Sequence, residues 1–260
     1  MEQNGRTVNA PGRRAGFTLI ELMIALVIIA VMAAIAVPRL VSARVSANEN
    51  ATIATMRTIA AAQAQIMSAC AIDTNGDGGG EAGYFGELAG LVPVRQWSSA
   101  GPVPGAAGQE MDPTSLSVNF KDVMSDGTDG VVEAQGYYYK MFLPDGSDAS
   151  PVGGIAEETA GGSRAGTMPG AANAEVLWCC YAWPVQLAKT GHRAFMVNQS
   201  GDVFSTRNAQ GQPGGPYEAF VRTPAFDAAF TVAGDMSSEP AIAVNGVPAQ
   251  DGLTWTPVGN

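Results

Sequence analysis

The stretch from Phe17 to Val37 constrains this chain more than any other. It is apolar apart from Thr18 and Glu21, and about 20 such residues are what a helix needs to cross a bilayer core. A helix apolar on every side has no face to show water, so a membrane span over 17–38 is the first reading. Glu21 interrupts the pattern. A carboxylate inside a span is costly and marks a functional position by default. The alternative is a carboxylate at headgroup level, where the cost falls. Pro38 closes the stretch and predicts a helix break in the weak sense, a kink or loosening, because it removes one backbone hydrogen bond.

Charge orients the span. Residues 1–16 carry Arg6, Arg13 and Arg14 against Glu2, whereas the whole chain carries −10. A basic leader before a span places residues 1–16 in the cytoplasm and the rest outside. An ordinary secretory signal has a shorter apolar core with a small-residue cleavage site after it. Here the candidate site, Gly16, precedes the apolar run. The acidic remainder argues against nucleic acid, which requires clustered Lys and Arg. Its plain reading is a soluble surface held apart by negative charge.

Gly16-Phe17-Thr18-Leu19-Ile20-Glu21, after a basic leader and before a long apolar helix, resembles the class III signal of type IV pilins and type II secretion pseudopilins. The resemblance implies cleavage after Gly16 by a prepilin peptidase, methylation of Phe17, and a role for Glu21 in guiding assembly. It implies a structural subunit of a type II secretion pseudopilus or type IV pilus, not an enzyme. Its partners would be other pilin-like subunits, the prepilin peptidase and an inner-membrane assembly platform. The protein would start as a single-pass inner-membrane protein with a periplasmic domain and end in a filament. A membrane-tethered extracytoplasmic binding module that reuses the signal is the alternative.

The physical logic of a filament fits these residues. Each processed N-terminus brings an ammonium into an apolar bundle, and a buried charge needs a partner. Glu21 of an adjacent subunit supplies one. Ala25, Ala30, Ala33, Ala34 and Ala36 allow close helix approach. A head-to-tail contact that does not close on itself gives an open helix.

The helix is predicted to continue over 39–72, which holds no glycine and is rich in Ala, Arg, Gln and Met. Val41, Val45, Ile53, Met56, Ala60, Gln63, Met67 and Cys70 form one soft apolar stripe. A globular domain over 73–260 would cover it. Asp73, Asn75 and Asp77 match the first half of a calcium loop, with Glu81 as a possible fourth ligand, since the twelfth position is Tyr84. A Gly/Asp turn that ends the helix is the other reading, with no cofactor. Strands are predicted over 136–143 and 175–185, and a hairpin over 193–207 with its turn at 198–202. Residues 144–175 read as a long flexible insertion, and 217–260 as irregular with one or two strands.

The predicted fold is therefore α+β: a long N-terminal helix, membrane half plus amphipathic half, packed on a small antiparallel sheet with long loops. Tyr137, Tyr138 and Tyr139 alternate across a strand, so an exposed ring among them is expected. Cys70, Cys179 and Cys180 lie outside the membrane under this topology. An oxidising compartment permits Cys70 to pair with Cys179 or Cys180; three buried thiols are the other reading. No catalytic constellation can be assembled. The one histidine, His192, sits in a turn, and there is no P-loop, GxGxxG or HExxH.

Overall fold

Helix α1 runs from Leu19 to Ser68, and Pro38 lies inside it. The helix runs on past Pro38, as the composition of 39–72 leads one to expect, so the weak point there does not end it. Proline removes its own bond to the carbonyl four residues back, and the turns on either side carry the helix past it. The computed structural model describes residues 16–99, 101–147, 150–164, 166–209, 215–242 and 247–259. The leader expected over 1–16 lies outside the described residues, except for Gly16.

The chain divides into two compact units, Met1–Ser42 and Ala43–Asn260. In the first, every described residue is exposed. Its part of α1 is long and apolar enough to cross a membrane.

The second unit is built on one sheet. Its strands are β1 (Val123–Ser125), β2 (Gly130–Ala134), β3 (Tyr137–Pro144), β4 (Gly154–Ala156), β5 (Cys179–Pro184), β6 (Ala194–Asn198), β7 (Val203–Thr206) and β8 (Trp255–Pro257). They run β1-β2-β3-β5-β6-β7-β8, and β4 pairs with the end of β3. All pairings are antiparallel. This is the expected α+β arrangement, with a larger sheet than the sequence suggested.

Alternate residues of a strand face opposite sides, and here both sides are covered. On one face Tyr137, Tyr139, Met141, Cys180, Phe195 and Val197 pack with Ile53, Met56, Ile59 and Ile66 of α1. On the other, Tyr138, Phe142, Tyr181, Trp183 and Met196 pack under Tyr217, Phe230, Met236 and Trp255. The stretch read as an irregular tail is thus the second cover of the sheet. Side-chain donors of the sheet hold it: Trp183 Nε1 donates to Ala219 O at 2.7 Å, and Tyr181 Oη donates to Phe226 O at 3.0 Å. All three tyrosines are consequently buried, against the expectation of an exposed ring. Each large side chain covered in this way contributes roughly 1.5–3 kcal/mol.

The expected flexible insertion is corrected as well. It contains β4, a short helix α2 at Ala171–Ala174, and buried Val152, Glu157 and Ala174. Its small residues earn their place through backbone pairing, which apolar counting does not detect.

Within this unit, polar side chains fix the part of α1 from Ala43 onward to the sheet and its loops. Glu49 accepts from the N–H groups of His192 (2.9 Å) and Arg193 (3.2 Å) and from Arg193 Nε (2.7 Å). The fully buried Gln63 clasps the backbone of Gly83, donating to its carbonyl at 2.7 Å and accepting from its N–H at 2.9 Å.

Candidate functional site

The N-terminal segment is built around a capping box. Thr18 precedes the first helical residue, and Glu21 is the third. The Thr18 N–H and hydroxyl donate to Glu21 Oε2 at 2.9 and 2.7 Å, and the Glu21 N–H donates to Thr18 Oγ1 at 3.3 Å. These bonds satisfy donors that a helix start leaves open. The signal was in the sequence as Thr-x-x-Glu before an apolar run. A carboxylate offers about four lone-pair sites, so the cap leaves room for a second partner. Phe17 lies just ahead of the box, 87% exposed, and the large apolar side chains from Leu19 to Leu40 are each more than half exposed.

At its other end α1 closes in a Schellman cap. The N–H of Ala71 donates to Ile66 O, and that of Cys70 to Met67 O, both at 3.1 Å. Cys70 occupies the left-handed position, at φ 45°, where glycine is usual. It is exposed, with its thiol 3.0 Å from Gly78 O. Cys179 and Cys180 are buried free thiols on opposite faces of β5. Cys180 Sγ meets Met56 Sδ at 4.0 Å under α1, and Cys179 Sγ meets Phe226 O at 3.6 Å under the second cover. The expected bridge from Cys70 to either is therefore corrected to three free thiols: the helix cap keeps Cys70 outside both cores.

The loop after the cap does not gather the four residues proposed as calcium ligands. Asp73 accepts from the N–H groups of Gly76 (2.6 Å) and Gly78 (3.1 Å), and Asp77 from that of Gly79 (2.8 Å). Asn75 Nδ2 donates to Asp77 Oδ2 at 2.9 Å and to Glu175 Oε1 at 3.0 Å. Glu81 turns inward, accepting from the Thr74 N–H (2.6 Å) and hydroxyl (2.5 Å). Among the described residues no three His, Cys, Asp or Glu side chains form a metal-holding group. The loop also sits tightly on the helix end: a Cβ at Gly80 would lie 1.9 Å from Met67 O, so only glycine fits.

Glu81 belongs to a buried charged cluster that the sequence reading missed. Arg95 Nε lies 2.9 Å from Glu87 Oε1, and its Nη1 lies 3.5 Å from Glu81 Oε2; all three side chains are at most 2% exposed. Arg95 also donates through Nη2 to Ala82 O. Burial pulls its guanidinium pKa down, but Glu87 and Glu81 outweigh that and hold it above the usual value. Glu87 Oε2 accepts from the Tyr84 N–H at 2.9 Å. The available signal was a lone Glu and a lone Arg inside the apolar run Tyr84 to Trp97. Lys140 makes a second such cluster, with Nζ 2.7 Å from Asp126 and 2.9 Å from Asp129. It ties the β1–β2 turn to the middle of β3.

Glu157 stands beside the first cluster, fully buried. Its Oε1 accepts from the N–H groups of Gly86 (2.7 Å) and Gly162 (2.9 Å), and its Oε2 has no partner. Burial raises its pKa to about 7; the two N–H bonds lower it, and nearby Glu87 raises it again. The folded state thus binds a proton more tightly than the unfolded chain. This contribution to stability is fully present below the unfolded value of 4.5 and is lost as pH rises through about 7. The loss is on the order of 3 kcal/mol. Melting curves of wild type and Glu157→Gln from pH 4 to 8 read it. The wild type is expected to lose melting temperature relative to the variant as pH rises from 5 to 8. Parallel curves would show that Glu157 does not hold the proton.

Comparison with known proteins gives two family matches. A model described as Prokaryotic N-terminal methylation motif matches residues 11–37, which include Gly16, Phe17 and Glu21. A model described as Protein of unknown function (DUF2950) matches residues 33–212, from within α1 to just past β7. No curated protein matches the chain. No solved structure matches it.

Proposed function

We propose, for a chain that belongs to the family described as Protein of unknown function (DUF2950) and that carries a prepilin-type methylation motif at its N-terminus, a role as a pilin-like filament subunit. The motif is that of type IV pilins and pseudopilins, and with the apolar helix it supports membrane anchoring. In this reading the leader is cut after Gly16, Phe17 is methylated, and the subunit waits in the inner membrane with its folded unit in the periplasm. It then enters a type II secretion pseudopilus or type IV pilus through α1. Prepilin peptidase, an inner-membrane assembly platform and other pilin-like subunits are its partners.

The observation that carries the reading is the exposure of the first unit. No described residue from Gly16 to Ser42 is buried, and an apolar surface of this kind supports a reading in which lipid covers it in the membrane and neighbouring helices cover it in a filament. Intact-mass analysis of the membrane-extracted protein tests it. A chain beginning at Phe17 and one methyl group heavier is expected. A retained leader, or a cut after the apolar run, would remove the proposal.

One observation favours a second reading. Thr18 satisfies Glu21 within the same chain, so the glutamate has a local use without a filament. A membrane-tethered extracytoplasmic binding module needs no more than that.

A further inference from the structure

The loop offered to calcium by its spacing has another use in the fold. Asp73, Asn75 and Asp77 spend their side chains on bracing it, and Asn75 ties it to Glu175 at the end of α2. The braced loop forms a shelf for Trp97. Gly76 sits at φ +75°, and the indole lies 3.5–3.6 Å from where its Cβ would be. One part of the ring rests on backbone, and the side chain is still 58% exposed. An indole held flat and left open is unusual in a chain whose other tryptophans, Trp178, Trp183 and Trp255, are at most 2% exposed.

Trp97 forms one wall of an open groove of about 570 Å³, with Thr74, Asn75, Ser99, Pro102 and Met168 among its other lining residues. That volume lies within the range of roughly 300–1,000 Å³ usual for small-ligand sites. The chemistry of the lining selects the ligand. Among the described residues no charged side chain lines it, which disfavours phosphorylated, acidic or basic ligands. A lipid tail would want an enclosed apolar cavity, whereas this groove is open, with the Ser98 and Ser99 side chains in its lining beside Trp97. A proline-rich peptide docks on a row of aromatic ridges, and here there is one. Among the described residues none of the strands β1–β8 contributes to its lining, so the groove offers no sheet edge for an added strand. What remains is a neutral ligand with one flat C–H face and a rim of hydroxyl groups. We propose that the Trp97 groove binds a neutral saccharide, with a sugar ring stacked on the indole.

The arrangement supplies its own reporter, because Trp97 is the exposed indole among the four. The full chain, kept in a detergent without a sugar headgroup, is titrated with neutral cello-, malto- and chito-oligosaccharides while tryptophan emission is followed. Oligogalacturonate and a proline-rich peptide serve as comparisons. A saturable emission change with a neutral series is expected. Trp97→Ala should weaken binding by about thirtyfold or more, the effect of removing an aromatic anchor, measured for this variant by calorimetry. Trp97→Phe should keep much of the affinity, and Ser99→Glu should lose it. Unchanged melting temperatures establish that the variants are folded. No response to any neutral series at millimolar concentration overturns the proposal. So does an equal or stronger response to the acidic sugar or the peptide, or binding that survives Trp97→Ala.

Discussion

Arg95→Met is expected to lower the melting temperature of the folded unit by roughly 10 °C or more. The side chain is 2% exposed and stands between Glu87 and Glu81, which are 1% and 0% exposed. Removing a guanidinium from such a site leaves its carboxylates charged and dry, at a cost on the order of 3–5 kcal/mol. Glu157 cannot relieve them, since it adds a third buried carboxyl and is itself kept protonated up to about pH 7. The backbone would suffer too. Glu87 holds the N–H groups of Tyr84 and Arg95, and Glu157 holds that of Gly86, so the whole segment from Glu81 to Trp97 depends on this cluster. Arg95→Lys is not a conservative test, because an ammonium cannot offer the same planar fork to two carboxylates and a carbonyl. The informative control is Arg95→Met combined with Glu81→Gln and Glu87→Gln. Neutralising the stranded charges should restore part of the lost melting temperature. A single variant that melts within about 2 °C of wild type would mean that the cluster is solvated and not a buried pair.

The sequence carried the helix and the central strands well, for physical reasons. A glycine-free run rich in good helix formers has no other stable local structure, and Val45, Ile53, Met56 and Gln63 of the expected stripe are indeed buried. Cys70 fell off the stripe because the Schellman cap turns it outward. Alanine blurred the rest: Ala60 was expected inward, while Ile59, Ala62 and Ile66 are the residues that reach the core. β3, β5 and the β6–β7 hairpin declared themselves through aromatic and β-branched residues. β1, β2 and β4 did not, because β1 and β4 are three residues each and β2 opens on a glycine beside a turn, and β8, also three residues, could be expected in the tail but not placed. The second cover of the sheet was missed for a related reason. Tyr217, Phe230, Met236 and Trp255 are spread over irregular chain, and no periodicity links them. The charged clusters were readable in hindsight. A solitary Glu, Arg or Lys inside an apolar run is either exposed by a turn or paired, and Arg95 and Lys140 are paired.

Glu21→Ala is expected to abolish filament assembly while leaving processing and the melting temperature of the folded unit unchanged. The residue lies in the first unit, Met1–Ser42, outside both hydrophobic cores. In a filament its carboxylate would face the methylated amine of Phe17 in a neighbour, away from water. Truncating one partner of such a pair weakens each contact by roughly a hundredfold or more, and a polymer repeats that loss at every subunit. The capping box makes the test sharper, because Glu21 has two separable duties. Glutamine serves at this position of a capping box as glutamate does, so Glu21→Gln keeps the cap and removes only the charge. Thr18→Ala does the reverse, removing the hydroxyl that bonds Glu21 and keeping the carboxylate. If charge pairing drives assembly, Glu21→Gln fails as Glu21→Ala does and Thr18→Ala still assembles. If the helix cap is all that matters, the order is inverted. Blots of membrane and sheared-filament fractions from complemented cells, with secretion measured in parallel, separate the two. Normal assembly or secretion with both Glu21 variants would leave Glu21 as a cap alone and favour the tethered module over the filament subunit.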